Sequence, residues 1–371
     1  MKIALVAYDV ALPGEKGLGR IYYLAGLFRQ YGYDVELITG CFQHWEKRFR
    51  TPEEMAREHP FPVAFMAQPG YTKNIQLRRV RSLRVMAANI RRHLEENDYD
   101  LVYCLIPDNH IAAVAAKYAQ ARGIPFLIDV EDLWPEAMRL VLDVPVVSDV
   151  LFSYFTVNAR AAYRRADGVI GSSDTYRDEP MKYHVDVPER ATVYVGNDLA
   201  AFDAGAAENE PFVGKSDRAF WVTYAGTLGA SYDIGTLIRA ADILKQRGVE
   251  DVRVMLLGDG PQRAELESLA ASLTGNVTFL GYLPYPVMAA YLTRSDVTVN
   301  SVAKKAAQSI VSKIGDYLAA GKPMINTCTD REFRAKVEAD GFGVNVAPGD
   351  ADALAEAILR LRGDPPAREE M

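Results

Sequence analysis

Short apolar runs alternate with amphipathic stretches along most of the chain. The apolar run from Lys2 to Tyr8 is followed by a glycine-rich loop, a helical pattern and a second apolar run from Val35 to Thr39. Apolar residues on one helix face recur every three to four positions, whereas strands covered on both faces read as continuous apolar runs. This pattern predicts a β-loop-α-β unit, the building block of a doubly wound parallel sheet.

The same alternation continues to the end of the chain. A stretch rich in Ala, Gly, Glu and Pro at residues 200–217 interrupts it and is predicted to be a linker. We therefore predict an α/β protein with two Rossmann-like, doubly wound parallel-sheet domains, residues 1–199 and 218–371. Further strand-like runs are predicted at 101–106, 125–130, 168–173, 192–196, 221–224, 254–257, 277–280, 297–302 and 324–328.

The segment from Val297 to Cys328 reads as a strand, a loop, a helix and a second strand. Its helix is predicted over Ile310 to Leu318, with Gly321 as the residue that ends it. A helix that opens just after a strand points free N–H groups and the positive end of its dipole at the space above the sheet. The start of this helix is therefore a candidate phosphate site.

Two polar residues of this segment, Gln308 and Asp316, are eight positions apart, roughly 12 Å along a helix. Groups at that separation could hold the two ends of a nucleotide sugar, with its diphosphate at the helix start between them. The alternative is a solvated helix face on which Lys313 and Asp316 form a pair worth roughly 0.2–0.5 kcal/mol. Both interpretations stay open from these residues alone.

Two patterns in the first domain suggest ligand contacts. Gly17 and Gly19 lie between a strand and a helix and allow close approach of a ligand, although a flexible turn explains them equally well. A dinucleotide site is disfavoured because the spacing lacks Gly-x-Gly-x-x-Gly. Acids from Asp129 to Glu136 follow a predicted strand, where open α/β sheets bind ligands. The competing interpretation is that they cap the next helix, with Trp134 in the core.

The run from Asp316 to Pro323, Asp-Tyr-Leu-Ala-Ala-Gly-Lys-Pro, with Gln308 eight residues before it, resembles the Glu-x7-Glu segment of the retaining GT-B glycosyltransferases of family four. The Asp-Leu-Trp-Pro-Glu run at 132–136 resembles that of the family's bacterial surface-polysaccharide and lipopolysaccharide-type group 1 transferases. Both acids of the pair are replaced here, the first by an amide and the second by a shorter carboxylate.

The resemblance implies two domains facing a cleft and a metal-independent hexosyl transfer. A nucleoside diphosphate sugar would be the donor, a glycan or lipid-linked molecule the acceptor, and the configuration would be retained without a cofactor. The family's second acid binds ribose, which implies this role for Asp316, and its first acid contacts the transferred sugar, which implies that role for Gln308. Glu131, with Asp132 beside it, stands about where many relatives place a histidine next to the transferred sugar.

The resemblance also implies a set of donor-binding residues, most of them at glycine turns. In the family the turn at 226–229 faces the donor phosphates, and the turns near 258 and 282 flank the base. Relatives carry a basic residue at the start of the helix that follows the 226–229 turn, but this chain has none there. Lys313, Lys304 or Lys305 is therefore expected to supply that charge. The full set is Gly17, Gly19, Gly226, Thr227, Gly229, Gly258, Tyr282, Leu283, Ser309, Ile310, Val311, Lys313 and Asp316.

The composition excludes some classes of partner and favours one cellular compartment. A net charge of -7 over 371 residues argues against a nucleic-acid partner. Three widely spaced cysteines suit a reducing cytoplasm, and the first apolar run is too short for a signal peptide. Asp98-Tyr99-Asp100 and Asp350-Ala351-Asp352 look like metal-binding Asp-x-Asp pairs, but we predict no metal site because the second is a plain helix cap.

One local charge asymmetry suggests a membrane partner. The stretch from Lys73 to Arg92 carries seven Lys and Arg residues, no acid and an apolar face. A basic amphipathic helix can lie on anionic lipid headgroups, although a helix packed on the sheet with a solvated basic face explains it as well. A cytoplasmic protein that is also membrane-associated would suit a lipid-linked acceptor.

Two rival functions stay open. The altered Gln308 and Asp316 pair also suits a catalytically degenerate GT-B protein that binds a nucleotide sugar or a partner transferase without turnover. A sugar-nucleotide epimerase or phosphorylase on the same fold is disfavoured, because an epimerase needs acid and base groups on both sides of the sugar.

Overall fold

The computed structural model describes residues 1–17, 19–74, 76–134, 147–183, 187–273, 275–304, 306 and 310–371. The chain divides into two compact units, Met1–Tyr194 and Val195–Met371. Each unit contains one large parallel sheet with helices packed on it, so the predicted doubly wound α/β class is confirmed.

The sheet of unit 1 has seven strands in the order β5-β2-β1-β6-β7-β8-β9, all paired in parallel. Its strands are β1 (Lys2–Val6), β2 (Asp34–Gly40), β5 (Val63–Met66), β6 (Leu101–Ile106), β7 (Phe126–Val130), β8 (Gly168–Gly171) and β9 (Glu189–Thr192), and a short separate ribbon pairs β3 (Phe42–Gln43) with β4 (Arg48–Phe49). Its helices are α1 (Arg20–Gln30), α2 (Pro52–Met55), α3 (Leu77–Glu95), α4 (Asn109–Arg122), α5 (Val147–Tyr163) and α6 (Asp174–Asp178), followed by a 3-10 turn at Glu179–Lys182.

Alternate residues of the central strand β1 enter two different cores. Ala4 and Val6 pack with α3, α4 and α5 on one face, whereas Ile3 and Leu5 pack with α1 on the other. Each fully buried aliphatic side chain stabilises the fold by about 1.5–3 kcal/mol. Burial on both faces explains why the strands read as continuous apolar runs in the sequence.

The sheet of unit 2 has six parallel strands in the order β12-β11-β10-β13-β14-β15. Its strands are β10 (Phe220–Ala225), β11 (Val252–Leu257), β12 (Val277–Gly281), β13 (Val297–Asn300), β14 (Met324–Asn326) and β15 (Gly343–Asn345). Its helices are α7 (Leu199–Glu208), α8 (Ile234–Gln246), α9 (Arg263–Ser272), α10 (Tyr285–Arg294), α11 (Lys313–Ala319), α12 (Arg331–Ala339), α13 (Ala351–Gly363) and α14 (Pro365–Glu370).

The stretch predicted as a linker at 200–217 contains most of helix α7. Asp198 caps this helix by accepting a hydrogen bond from the Ala201 N–H, and Phe202 is buried in the core of unit 2. Gly205 packs against Pro286, so closely that an added Cβ would lie 2.8 Å from the proline Cα. Alanine is the best helix former, so an alanine-rich stretch with one large apolar anchor folds onto the domain instead of linking two domains.

The helix predicted over Ile310 to Leu318 is shorter in the structure. Helix α11 begins at Lys313, because the preceding turn makes i to i+3 bonds, from Ile314 N–H to Val311 O and from Gly315 N–H to Ser312 O. The estimate of 12 Å along one helix from residue 308 to residue 316 therefore does not apply. Gly321 follows the helix with a φ of +60°, the left-handed conformation expected of it.

Three asparagines, of which Asn300 and Asn326 are buried, form a ladder across β13, β14 and β15. Asn300 Nδ2 donates to Asn326 Oδ1 at 2.9 Å, and Asn326 Nδ2 donates to Asn345 Oδ1 at 2.8 Å. Asn345 Nδ2 in turn donates to Arg334 O and Glu338 Oε1. At the other end of the ladder, the buried Oδ1 of Asn300 has no partner in the described part of the chain.

The two Asp-x-Asp pairs have structural partners. Asp98 pairs with Arg122 at 2.9 Å, and Asp100 accepts a hydrogen bond from the Lys2 N–H. Asp350 caps α13 by accepting from the Ala353 N–H. No helix within the described ranges is both long enough and apolar enough to cross a membrane.

Candidate functional site

Three loops at the carboxyl ends of β10, β11 and β12 are hydrogen-bonded to one another. The Gly226 N–H donates to Leu257 O at 2.8 Å, the Gly258 N–H donates to Gly281 O at 2.8 Å, and the Leu228 N–H donates to Asp259 O at 3.0 Å. These turns lie at the edge of a parallel sheet where ligands bind in open α/β folds.

Glycine is required where two of these turns meet. An added Cβ on Gly258 would lie 1.8 Å from Gly226 O, and the φ of Gly258 is +137°. Gly226 itself has a φ of +147°. The close approach and the backbone conformation both exclude a side chain at 258.

The side chain of Lys313 reaches the first of these turns from α11. Its amine is 2.8 Å from where a Cβ of Gly226 would lie, and it donates to Tyr224 Oη at 3.0 Å. It also lies over the ring of Tyr232, 3.7 Å from the centroid. The structure therefore brings together two predicted donor-binding residues, Gly226 and Lys313, that are far apart in the sequence.

Lys313 has a buried amine with no carboxylate close to it among the described residues. Its side chain is 9% exposed, and burial lowers its pKa well below the ordinary value. In the described segments no carboxylate lies within ion-pair distance, so the alternative of a solvated pair with Asp316 is wrong. A diphosphate at this turn would supply the missing negative charge.

Asp316 is held by two residues of unit 2 that the sequence does not single out for this role. Its Oδ1 accepts from Tyr285 Oη at 3.0 Å and from Asn197 Nδ2 at 3.1 Å, and Tyr285 also donates to Asn197 Oδ1. Burial raises the pKa of the Asp316 carboxyl. A weak signal for Tyr285 was its place just after the 282–283 turn, as the first residue of α10.

The remaining predicted donor residues divide into three groups. Thr227 and Gly229 belong to the turn that Lys313 approaches, and Tyr224 Oη donates to Thr227 O at 2.8 Å. Tyr282 is 70% exposed, whereas Leu283 is buried in the core, with Ile310 and Val311 packed against that core. Gln308, Ser309 and Lys305 lie outside the described residues.

A second cluster of charged residues lies in unit 1, where α1 begins. Arg20 Nε donates to Asp129 Oδ2 at 3.1 Å and lies 2.8 Å from Glu131 Oε1. Tyr103 Oη donates to Asp129 Oδ2 at 2.7 Å. One guanidinium thus faces two carboxyl groups at the carboxyl end of β7.

This cluster is largely excluded from water. The side chain of Asp129 is 0% exposed, and those of Arg20 and Glu131 are each 10% exposed. Burial, followed by the neighbouring Asp129 carboxylate, raises the pKa of Glu131 to about 8. Burial also raises the pKa of Asp129, while Arg20 and Tyr103 oppose that rise. Of this cluster, the sequence singled out Asp129 and Glu131, as acids at the end of a predicted strand, but not Arg20 or Tyr103.

Asp132 and the two N-terminal glycines have local structural contacts. The Oδ1 of Asp132 accepts from the Leu133 N–H and its Oδ2 accepts from Trp134 Nε1, so both oxygens bind their own segment. An added Cβ on Gly17 would lie 2.4 Å from the Trp45 ring, whereas Gly19 opens α1 with free space around it. Trp134 is buried, as the competing interpretation expected, and residues 135–146, which follow it, lie outside the described residues.

Two family models match the chain in sequence. One, described as "Glycosyl transferase 4-like domain", matches residues 19–198, and the other, "Glycosyl transferases group 1", matches residues 219–364. No curated protein matches the sequence.

Solved structures share the fold at low sequence identity. Sucrose-phosphate synthase from Thermosynechococcus elongatus is 20% identical, with a TM-score of 0.68 over 99% of this chain and 91% of that one. HepE of Anabaena, solved in complex with UDP, is 18% identical with a TM-score of 0.68 over 100% and 92%. WaaG, a glycosyltransferase of lipopolysaccharide biosynthesis, is 14% identical with a TM-score of 0.67 over 99% and 92%.

Together the two family models account for nearly the whole of both units, and the structures that share this pair of parallel-sheet domains cover almost the full chain. The chain belongs to the group 1 glycosyltransferases and has the GT-B fold.

Proposed function

We propose that the protein transfers a hexose-type sugar from a nucleoside diphosphate sugar to a glycan or lipid-linked acceptor, with retention of configuration and without a metal. The observation that supports it most is the Lys313 amine, buried without a carboxylate partner beside the Gly226 turn. Structures of the similar HepE protein contain UDP and UDP-glucose. Retention and the hexose rest on the resemblance of residues 308–323 to the family segment.

In this proposal the main task of unit 2 is to stabilise charge. Negative charge grows on the diphosphate as the sugar leaves, and donors aimed at that charge in a dry site lower the barrier. Lys313 and the backbone N–H groups of Thr227 and Gly229, together with those of Ile310 and Val311, supply these donors. No protein base is needed for this step.

Asp316 would bind the ribose hydroxyls. One of its oxygens already accepts from Tyr285 and Asn197, which fixes the orientation of the carboxylate. An ionised carboxylate has about four acceptor positions, so it can still accept from ribose. Gln308 and Glu131 would help to orient the transferred sugar.

Nucleotide binding is tested by thermal unfolding with UDP, GDP, ADP and CMP. A ligand that binds only the folded state raises the midpoint, so one base should give a clear shift. Asp316→Ala should weaken the binding of that nucleotide about 10-fold, because it removes hydrogen bonds to a charged group. Asp340→Ala, a change at an exposed acid, is the control; equal nucleotide affinity in Asp316→Ala and wild type would rule out the ribose role.

The rival without turnover makes a different prediction. A transferase with a complete site loses donor slowly to water even without an acceptor, whereas a protein that only binds the donor does not. Release of the nucleoside diphosphate from the donor that shifts the midpoint therefore separates the two functions.

A membrane contact through α3 is a second proposal, favoured by the way that this helix is packed. The helix buries one face, on which Arg79 lies, and leaves its other arginines exposed, and Leu77 at its start is 85% exposed. A lipid-linked acceptor would be reached most readily from the surface of an anionic membrane. The exposed basic residues are Lys73, Arg78, Arg81, Arg84, Arg91 and Arg92.

Neutralising two of these arginines tests the membrane contact. Each basic residue near an anionic surface contributes about 1 kcal/mol, so Arg78→Gln with Arg81→Gln should weaken binding to phosphatidylserine vesicles roughly 30-fold. The matched control changes two exposed arginines of unit 2, Arg331 and Arg360, to glutamine. If both double variants sediment equally well with the vesicles, α3 does not form the membrane contact.

A further inference from the structure

Two carboxyl groups compete for one N–H group in the cluster of unit 1. Arg20 Nε carries a single hydrogen, and its hydrogen bond goes to Asp129 Oδ2 at 3.1 Å. Glu131 Oε1 lies closer, at 2.8 Å, but outside hydrogen-bond geometry and with no other partner among the described residues. Glu131 therefore receives the charge of Arg20 but not a hydrogen bond.

Asp129 is the better stabilised of the two carboxylates. It accepts from Tyr103 Oη at 2.7 Å, from Arg20 Nε, and from Arg20 Nη2 at 3.4 Å. Hydrogen bonds to the ionised form favour that form. With one cation for two buried carboxyl groups, ionising both would leave an uncompensated negative charge, so one proton stays in the cluster.

We propose that Asp129, held by Tyr103, is a positioning residue that keeps a proton on Glu131 against the charge of Arg20, so that Glu131 meets a hydroxyl of the substrate as a hydrogen-bond donor. This proposal rests on the proposed function for the presence of a sugar substrate. The protonation itself does not depend on turnover and is tested separately.

A protonated Glu131 acts differently from a carboxylate. A carboxylate only accepts hydrogen bonds, whereas the acid form donates one and accepts at its carbonyl oxygen. Its Oε1 is buried beside Arg20 Nε and has no hydrogen-bond partner among the described residues, so the proton and the contact with the substrate are assigned to Oε2. The role resembles a neutral carboxylic acid held in a dry site to donate a hydrogen bond.

The charged groups that face Glu131 come from three elements of unit 1. Arg20 reaches it from α1 and Asp129 from β7, while Tyr103 on β6 acts through Asp129. Removing the negative charge of Asp129 should therefore make Glu131 a stronger acid. Removing a distant carboxylate should not.

The first test observes the proton directly. Infrared difference spectra of the full chain, recorded from pH 6 upwards, should show a protonated carboxyl band that disappears near pH 8 and is missing in Glu131→Gln. Absence of that band in the wild type at pH 6 to 7 would overturn the proposal, because Glu131 would then be ionised like an ordinary acid.

The second test asks whether Asp129 determines the pH at which Glu131 loses its proton. Asp129→Asn should shift the disappearance of the Glu131 band to lower pH by about one unit or more. The control is Glu36→Gln, since Glu36 accepts from Tyr99 Oη in the same way but lies elsewhere in unit 1. An unchanged midpoint in Asp129→Asn would remove the positioning role. The wild-type spectra decide the protonation even where a variant fails to fold.

Activity supplies a third readout that separates a hydrogen-bond donor from a base. If Glu131 donates, kcat/KM of the wild type falls as the pH rises through its deprotonation, and Glu131→Gln, whose amide also donates, keeps activity that no longer changes with pH there. If activity instead rises with pH and Glu131→Gln is inactive throughout, Glu131 is a base and the proposal is wrong. Loss of all turnover with the infrared result intact would count against the proposed function alone.

Discussion

Gly258→Ala is expected to destabilise unit 2 by about 3 kcal/mol or more, because two separate costs add. The new Cβ would lie 1.8 Å from Gly226 O, and neither backbone segment can move freely since both belong to hydrogen-bonded turns. The φ of +137° adds backbone strain for any residue with a side chain. Urea unfolding should show a large drop in midpoint or a loss of soluble protein.

The matched control for this prediction is Gly229→Ala in the neighbouring turn. Its added Cβ would lie 3.5 Å from the nearest atom, Thr227 Cγ2, which is an ordinary contact. We expect a change within about 0.5 kcal/mol, the usual range for a substitution without a structural conflict. Equal stability of the two alanine variants would mean that the turns at 226 and 258 do not touch as described.

Lys313→Met is expected to weaken binding of the nucleoside diphosphate about 10- to 100-fold while leaving the fold intact. A hydrogen bond between charged groups contributes about 1.5–3 kcal/mol, and methionine removes it without opening the core. Methionine loses the contacts of the amine with the rings of Tyr224 and Tyr232, but it also removes a buried polar group that has no carboxylate partner among the described residues. Calorimetric titration with the nucleotide identified by thermal unfolding gives the affinity.

The same titration tests the ionisation of Lys313. Burial lowers its pKa, so a nearby diphosphate, which favours the charged amine, should draw a proton from solution on binding. Titrations in buffers of different ionisation enthalpy should show this uptake in the wild type and not in Lys313→Met. Lys322→Met, a change at the half-buried lysine beyond α11, should behave as wild type. Wild-type affinity in Lys313→Met would exclude this residue from the phosphate site.

The fold was predictable because both faces of each sheet are covered. Continuous apolar strands alternate with amphipathic helices in the sequence, so periodicity alone gives two parallel sheets, although the order of strands within each sheet differs from their order in the chain. The helix at Leu199–Glu208 was missed because alanine and glycine were interpreted as linker composition, although its one buried large apolar residue, Phe202, decides that it packs. The start of α11 was misplaced because periodicity does not distinguish a 3-10-type turn from the first turn of an α-helix.

The candidate sites were predictable only in part, for a physical reason. Lys313 and Gly226 were both singled out, because the chain lacks the basic residue that relatives carry after the 226–229 turn and Lys313 was one of the lysines expected to replace it. The partners of Asp316 were not, and neither was Arg20 beside Asp129 and Glu131, because these residues come from distant positions. Asn197 lies 119 residues from Asp316, and Arg20 lies 109 residues from Asp129. Tertiary packing selects such partners, and no local spacing in one sequence encodes them.

In the asparagine ladder of unit 2, the orientation of each side-chain amide is fixed by the amide that follows it in the chain of hydrogen bonds. At one end Asn345 Nδ2 faces two oxygens, so this amide has only one allowed orientation, and each amide before it is then forced to turn the same way. The orientation reaches Asn300, whose unpaired atom must therefore be an oxygen. A hydroxyl or an N–H group can satisfy that oxygen, whereas a phosphate or carboxylate oxygen would be repelled. A contact between Arg334 and Asn345 at one edge of the sheet thus dictates the chemical character of a position two strands away.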